Sequence, residues 1–264
     1  MNERKHRISV VIPVWNQLEL ARRCVLSIIQ GSTEAHQLIL VNNGSDKETS
    51  DWLKQFIESQ AHAKWEVVLI RNETNTGVAR AFNQGIRAST GENIAIVNSD
   101  IWAMPGWDAA LLSESVRLQA RMLGPYYDES PFAYASIRAR AASFVHRNAG
   151  KSRRDWCSVF MLFQRTVFDE IGLFDEAFFV TCEDTDFRER MDQKKMSYYM
   201  TGSCYVWHHS KASRECGELP SDYEQKALEV FRKKWGFDPR LREVRWPRPL
   251  LRKWRKLKGR LGWF

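Results

Sequence analysis

Residues 93–100 read Asn93-Ile94-Ala95-Ile96-Val97-Asn98-Ser99-Asp100, four apolar residues in a row followed by short polar ones. A brief apolar run with no polar alternation marks a strand buried on both faces. The Asn and Ser that follow favour a turn. Three earlier segments repeat the pattern. Ile8-Ser9-Val10-Val11-Ile12 is closed by Pro13 and leads to Trp15 and Asn16. Gln37-Leu38-Ile39-Leu40-Val41 runs into Asn42-Asn43-Gly44-Ser45, and residues 66–71 form a third strand. Between them Leu18, Ala21, Arg22, Val25, Ile28 and Ile29 recur at helical spacing ahead of Gly31, and residues 51–57 and 78–88 read as helices. Short buried strands alternating with amphipathic helices predict a doubly wound α/β fold with a mostly parallel sheet. In such sheets ligands bind beyond the carboxyl ends of the strands, where these polar clusters fall.

The second half is less periodic. Residues 126–154 are rich in Ala, Arg and Ser and read as a mobile loop on the acceptor side. Strands are expected at 158–163, 197–200 and 204–207, and helices at 166–171, 185–193 and 223–234. The 264 residues suit one large domain or two small ones, and no stretch approaches the roughly 20 apolar residues of a membrane span. The charged residues 1–8 lack an apolar signal-peptide core, so the expected compartment is the cytoplasm. Five scattered cysteines with no C-x-x-C pair read as free thiols, not as a disulfide framework or zinc site.

Charge separates a tail from the rest. Ten Lys/Arg and a single acid lie between Arg240 and Phe264, which exceeds the net +8 of the whole chain and leaves the remainder close to neutral. Leu250, Trp254, Leu257 and Leu261 share one helical face amid these cations. Such a basic amphipathic helix suits the headgroup plane of an anionic membrane. Nucleic acid is the competing partner of a basic stretch, but Trp and Leu on one face match an acyl boundary better than a phosphate backbone. The expected division is a catalytic domain over 1–235 and a membrane-contact helical tail over 236–264, peripheral at the inner face of the membrane.

Three constellations carry possible chemistry. Asp100 ends a buried strand, where it either caps a helix near Gly106 or holds a hard cation such as Mg²⁺ or Mn²⁺ against a phosphate. Glu183, Asp184 and Asp186 crowd beside the apolar Ala177-Phe178-Phe179-Val180. Acids favour a helix start, and crowding near apolar side chains also raises carboxyl pKa values and prepares a general base. His208 and His209 end another strand, and alternation lets at most one of them face a site.

The order of these pieces resembles glycosyltransferase family 2, particularly its rhamnosyltransferase-like members. The similar segments are Val10-Val11-Ile12-Pro13-Val14-Trp15-Asn16, Leu40-Val41-Asn42-Asn43-Gly44-Ser45 and the stretch from Asn75 to Gly85. Asn98-Ser99-Asp100 resembles the D-x-D motif in its N-x-D form, residues 172–179 a G-x-F-D-E-x-F-F segment, residues 183–190 E-D-x-D-x-x-x-R, and Val206-Trp207-His208 a V-x-H. The resemblance implies a GT-A fold and inverting, metal-dependent transfer of a hexosyl or deoxyhexosyl group. The sugar would pass from a nucleoside diphosphate donor to a hydroxyl of a glycan or lipid-linked glycan, in bacterial surface polysaccharide synthesis. It implies Asp100 and His208 as ligands of Mn or Mg, and Asp184 as the base, with Glu183 and Asp186 positioning acceptor and helix. Pro13, Trp15, Asn16, Asn42, Asn43, Arg80, Asn98 and Ser99 would line the nucleotide and substrate site. Asn42 stands where the family usually carries Asp, and Lys47 where it carries a later acid. The rival readings are a catalytically silent binding protein on the same fold and a nucleotidyltransferase. The second would need a Gly-rich basic loop after the first strand, and residues 13–17 supply none.

Overall fold

The computed structural model describes residues 7–59, 64–129, 136–210, 219 and 221–240. The chain runs β1 (Ile8–Val14), α1 (Leu18–Gly31), β2 (Gln37–Asn43), α2 (Lys47–Glu58), β3 (Glu66–Asn72), α3 (Val78–Ala88), β4 (Asn93–Val97), β5 (Ile101–Ala103), α4 (Trp107–Leu118) and β6 (Met122–Asp128). It continues through α5 (Ile137–Asn148), β7 (Ser152–Arg153), β8 (Phe160–Gln164), α6 (Thr166–Ile171), α7 (Glu183–Gln193), β9 (Tyr198–His208) and α8 (Tyr223–Trp235). One nine-stranded sheet has the order β3-β2-β1-β4-β8-β6-β9-β5, with β7 beside β9. Strands β1, β2, β3, β4, β6 and β9 run one way, and β5, β7 and β8 run against them.

Helices cover both faces, which is why the central strands are apolar without alternation. Val10, Ile12, Leu38, Leu40, Ala95 and Val97 pack with Val25 and Ile28 of α1 and Leu111 of α4. Their neighbours Val11, Ile39, Val41, Ile94 and Ile96 pack on the other face with Phe82 of α3 and Phe187 of α7. Helix α3 sits so close that a Cβ at Gly85 would lie 2.1 Å from Val11.

Several expectations change. β1 does not close at Pro13 but continues to Val14, because its pairing with β4 ends at Val11↔Ile96 and the missing proline N–H faces no partner strand there. Residues 126–154 are not a loop throughout. They contain the end of β6, α5 and β7, and α5 is held by a narrow stripe in which Ile137 and Ala141 are buried and Phe144 stacks on Tyr126 at 4.1 Å. The two short strands expected at 197–200 and 204–207 are one strand, β9. Its pairing to β6 jumps from Pro125↔Thr201 to Tyr126↔Tyr205, so Gly202, Ser203 and Cys204 bulge out of the ladder. Packing also runs past the expected boundary at 235, since Phe237 meets Phe231 at 5.5 Å and Asp238 bridges Arg232 and Arg240.

Cys24, Cys157, Cys182 and Cys204 are free and buried, and Cys216 lies outside the described residues. Among the described residues no helix is long and apolar enough to cross a membrane. The tail from residue 241 onward, including the face from Leu250 to Leu261, lies outside the described residues.

Candidate active site

At the carboxyl rim of β1, β2 and β4 lies a cavity of about 370 Å³. Its wall includes Pro13, Trp15, Asn43, Asn98, Ser99, Asp100, Glu183, Asp184 and His208, so residues scattered over two hundred positions meet in one place. The loops after β1 and β2 are tied down by their own side-chain hydrogen bonds. After β1 the chain turns through two left-handed residues, Asn16 (φ 56°) and Gln17 (φ 54°). Asn16 Oδ1 accepts from the Asp46 N–H at 2.6 Å, and its own N–H donates to Ser45 Oγ at 3.0 Å. Asn43 Oδ1 accepts from Asn72, the Thr76 N–H and the Thr76 hydroxyl, while its Nδ2 donates to Asn75. This network fixes the Asn75-Thr76-Gly77 turn against the end of β2.

Asp100 precedes β5 and His208 ends β9, and antiparallel pairing of Ile101 with His208 brings them together. Asp100 Oδ2 lies 3.3 Å from His208 Nε2, and Glu129 Oε1 lies 2.8 Å from His208 Nδ1. Burial pulls the His208 pKa down, but the bonds and charges of Asp100 and Glu129 outweigh it and raise the pKa. A carboxylate on one ring nitrogen orients the imidazole and leaves the other nitrogen for a cation beside Asp100, which is the usual support of a metal-bound histidine. The residues present therefore suit a hard divalent ion. Helix capping, the other reading of Asp100, does not hold, since Gly106 occupies the cap position of α4. His209 turns away, its ring 5.8 Å from Trp207 and its N–H donating to the Asp100 carbonyl at 2.8 Å.

Across the cavity stand Glu183 and Asp184, at the start of α7. The approach to them is strained, with Thr181 (φ 68°) and Cys182 (φ 66°) both left-handed, an uncommon state for a β-branched residue. Burial, helped by the charge of Asp184, pushes the Glu183 carboxyl up to about 8. Glu183 Oε2 is buried and has no hydrogen-bond partner among the described residues. Burial raises Asp184 as well, but the Thr185 N–H at 2.7 Å and hydroxyl at 3.2 Å favour its ionised form, as does the Trp156 indole. Burial thus raises both carboxyls, and only Asp184 has hydrogen-bond donors that oppose the rise.

Other expected site residues lie elsewhere. Asp186 is fully buried and does not face the cavity. It accepts from Arg190 Nε at 3.0 Å and from Trp235 Nε1 at 2.8 Å, with Lys234 Nζ also at 2.8 Å. A carboxylate so enclosed fastens α7 to α8, so the expected substrate contact does not fit it. Arg80 reaches Glu176 at 3.2 Å and does not line the cavity, while Arg190 serves the acidic cluster. Asn42 points into its own loop, donating to Ser50 at 2.9 Å and accepting from the Ser45 N–H at 3.0 Å. Sequence reasoning missed Glu129, Asn75 and Thr181, all lining the cavity. Asn75 lay within a recognised motif, but Glu129 carried no periodic or motif signal.

Among the described residues one cluster offers three candidate ligand atoms within 4.8 Å of one another, those of Glu34, His36 and Asp108. It lies before β2, at the opposite rim of the sheet. Asp108 there already accepts from Ser32, the Thr33 N–H and the Thr33 hydroxyl, with His36 Nε2 at 3.0 Å, so its role is to pin the loop onto α4.

A doubly wound sheet carries a carboxylate–imidazole pair facing a carboxylate pair across its carboxyl rim. The sequence profile described as glycosyl transferase family 2 matches residues 9–172, and the chain belongs to that family. The chain is 29% identical over 122 residues to the glycosyltransferase GlyA of Streptococcus pneumoniae, covering 46% of this chain and 17% of that protein. It is 23% identical over 241 residues to the O-antigen biosynthesis protein RfbC of Myxococcus xanthus, covering 82% of this chain and 18% of the other. It is 25% identical over 187 residues to a PGL/p-HBAD biosynthesis glycosyltransferase of Mycobacterium bovis, covering 69% and 68%. The chain thus spans under a fifth of the streptococcal and myxococcal proteins. A crystal structure of GalNAc-T7 with UDP, GalNAc and Mn²⁺ superposes with a TM-score of 0.61 at 18% identity, covering 77% of this chain and 43% of that one. The fold is accordingly GT-A, as the motifs implied.

Proposed function

We propose that this chain is a metal-dependent, inverting glycosyltransferase that moves a hexosyl or deoxyhexosyl group from a nucleoside diphosphate sugar to a hydroxyl of a glycan or glycolipid. The observation carrying this reading is that Asp100–His208 and Glu183–Asp184 face one cavity. Asp100 and His208 would hold the cation, which supplies charge neutralisation for the departing diphosphate. Asp184, ionised and held by Thr185, takes the proton from the acceptor hydroxyl as its oxygen attacks the anomeric carbon. The bond to the diphosphate breaks on the opposite side, so one displacement inverts the centre and no covalent nucleophile is needed. Trp15 and Asn43 wall the nucleotide side.

The names of the myxococcal and mycobacterial relatives support a surface polysaccharide or glycolipid as acceptor. The basic composition after Arg240 supports a peripheral position on an anionic membrane. The test is a panel of nucleotide sugars with Mn²⁺ or Mg²⁺, reading released nucleoside diphosphate and the anomeric configuration of the product. No release from any donor, or release unaffected by Asp184→Asn and Asp100→Ala, refutes the proposal.

A further inference from the structure

Beside the catalytic cavity opens a second one of about 400 Å³, whose wall includes Tyr126, Tyr127, Glu129, Arg153, Asp155 and Trp156. The two are contiguous, because Glu129 lines both. Aromatic side chains form the partition. Tyr127 meets His208 edge-on at 6.3 Å. Trp156 is packed against Tyr198 at 5.5 Å, and its indole favours the charged form of Asp184.

We propose that this second cavity is a subsite for a neutral pyranose of the acceptor glycan, next to the unit that receives the transferred sugar. The inference rests on the glycosyltransferase reading and adds the acceptor's chemical class. A pyranose combines apolar C–H faces with a rim of hydroxyls. Here the tyrosines and Trp156 offer apolar walls, and the carboxylates and guanidinium offer charge-assisted bonds to hydroxyls. The charge decides against an acidic sugar. Carboxylates of Asp128, Glu129 and Asp155 outnumber the one guanidinium of the lining, Arg153, which lies 2.9 Å from Asp155, while Glu129 is held 2.8 Å from His208 Nδ1. Arg140 reaches Asp128 at 3.2 Å from α5, where it answers that carboxylate from outside the lining. A uronate or phosphate would be repelled, whereas a hydroxyl donates to such oxygens at no electrostatic cost.

The test is saturation-transfer NMR on the full chain in Mg²⁺, with the methyl glycosides of glucose, galactose and mannose and the methyl glycosides of the corresponding free uronic acids at millimolar concentration, and methyl rhamnoside as a further neutral probe. At least one neutral glycoside should bind, and its uronate should bind several-fold more weakly. In Asp155→Asn the neutral Kd should rise roughly tenfold, the scale of one lost charge-assisted bond, and the bias against the uronate should shrink. Tyr127→Leu should weaken the neutral glycoside without that change in bias, and thermal unfolding of each variant checks that it folds. Absence of neutral binding, equal binding of uronates, or wild-type binding by both folded variants overturns the subsite. Binding is read without donor or turnover, so the subsite can stand where the transferase reading fails. Donor turnover without glycoside binding would sink the subsite alone.

Discussion

Replacing Asp186 by Asn removes one charge from the point where α7 and α8 meet, while keeping the volume of the side chain. The native carboxylate is fully buried and answers Arg190, Lys234 and Trp235, each at 2.8–3.0 Å. Removing one partner of a buried ion pair costs about 3–5 kcal/mol because the other charges stay behind. Here the loss should sit lower, at about 2–3 kcal/mol, since an amide oxygen still accepts one bond and Lys234, 34% exposed, retains Asp175 at 2.5 Å. With about 2–4 °C per kcal/mol for a chain of this size, Tm should fall by about 4–12 °C. Scanning calorimetry measures this, and Asp186→Asn combined with Lys234→Met should cost less than the two single changes added together. A Tm within about 1 °C of wild type, accompanied by loss of donor binding, would refute the fastening role and return Asp186 to the substrate.

Asp184→Asn should lower kcat by roughly 10²–10⁴ with nucleotide affinity kept, and turnover assays that find Glu183→Gln the more damaging change would move the base to Glu183. Because the Glu183 carboxyl is pushed up to about 8 from 4.5, the folded chain keeps a proton that the unfolded chain has lost. Its contribution to stability is complete below about pH 4.5 and fades as pH rises towards 8, so Glu183→Gln should flatten the decline of Tm across that range. Asp100→Ala, or chelation by EDTA, should cost several kcal/mol of transition-state stabilisation, and full turnover in metal-free buffer would contradict the ligand assignment. Removal of residues 240–264 should release the protein from anionic vesicles, given about 1 kcal/mol per Lys/Arg near the surface, and equal flotation with anionic and neutral vesicles, or flotation unchanged by truncation, would remove support for a membrane role.

The sequence was most legible where one physical signal dominated. Val78–Ala88, Asn93–Val97 and Thr166–Ile171 have the bounds that periodicity and flanking glycines or polar turns predicted. β5 has three residues, too few to show any period, yet it places Asp100 opposite His208. Helix α5 hid its apolar stripe of Ile137, Ala141, Phe144 and Val145 among arginines, although that spacing is helical. At about 100° per residue Asp186 lies roughly 200° around the helix from Asp184 but only about 60° from Glu183, so spacing alone does not remove it from the cavity, and its tertiary partners Arg190, Lys234 and Trp235 do. Glu129 was beyond reach, because only the tertiary meeting of β6 with β9 brings it to His208.

The contact between Gly77 and Phe179 bears on how this chain could be re-engineered. Gly77 holds φ 88° at the start of α3, and a Cβ there would lie 2.7 Å from the Phe179 carbonyl and 2.8 Å from its ring. That carbonyl accepts the Val78 N–H at 2.7 Å, so a turn in the N-terminal half sets the height at which the Phe179–Asp184 segment crosses the cavity. A chimera that took its first hundred residues from one parent and the remainder from another would pair a turn with a crossing segment shaped for a different neighbour. The workable seam keeps residues 75–78 and 178–184 from a single parent and exchanges the chain elsewhere, so that the rest of the cavity wall could be altered without displacing Asp184.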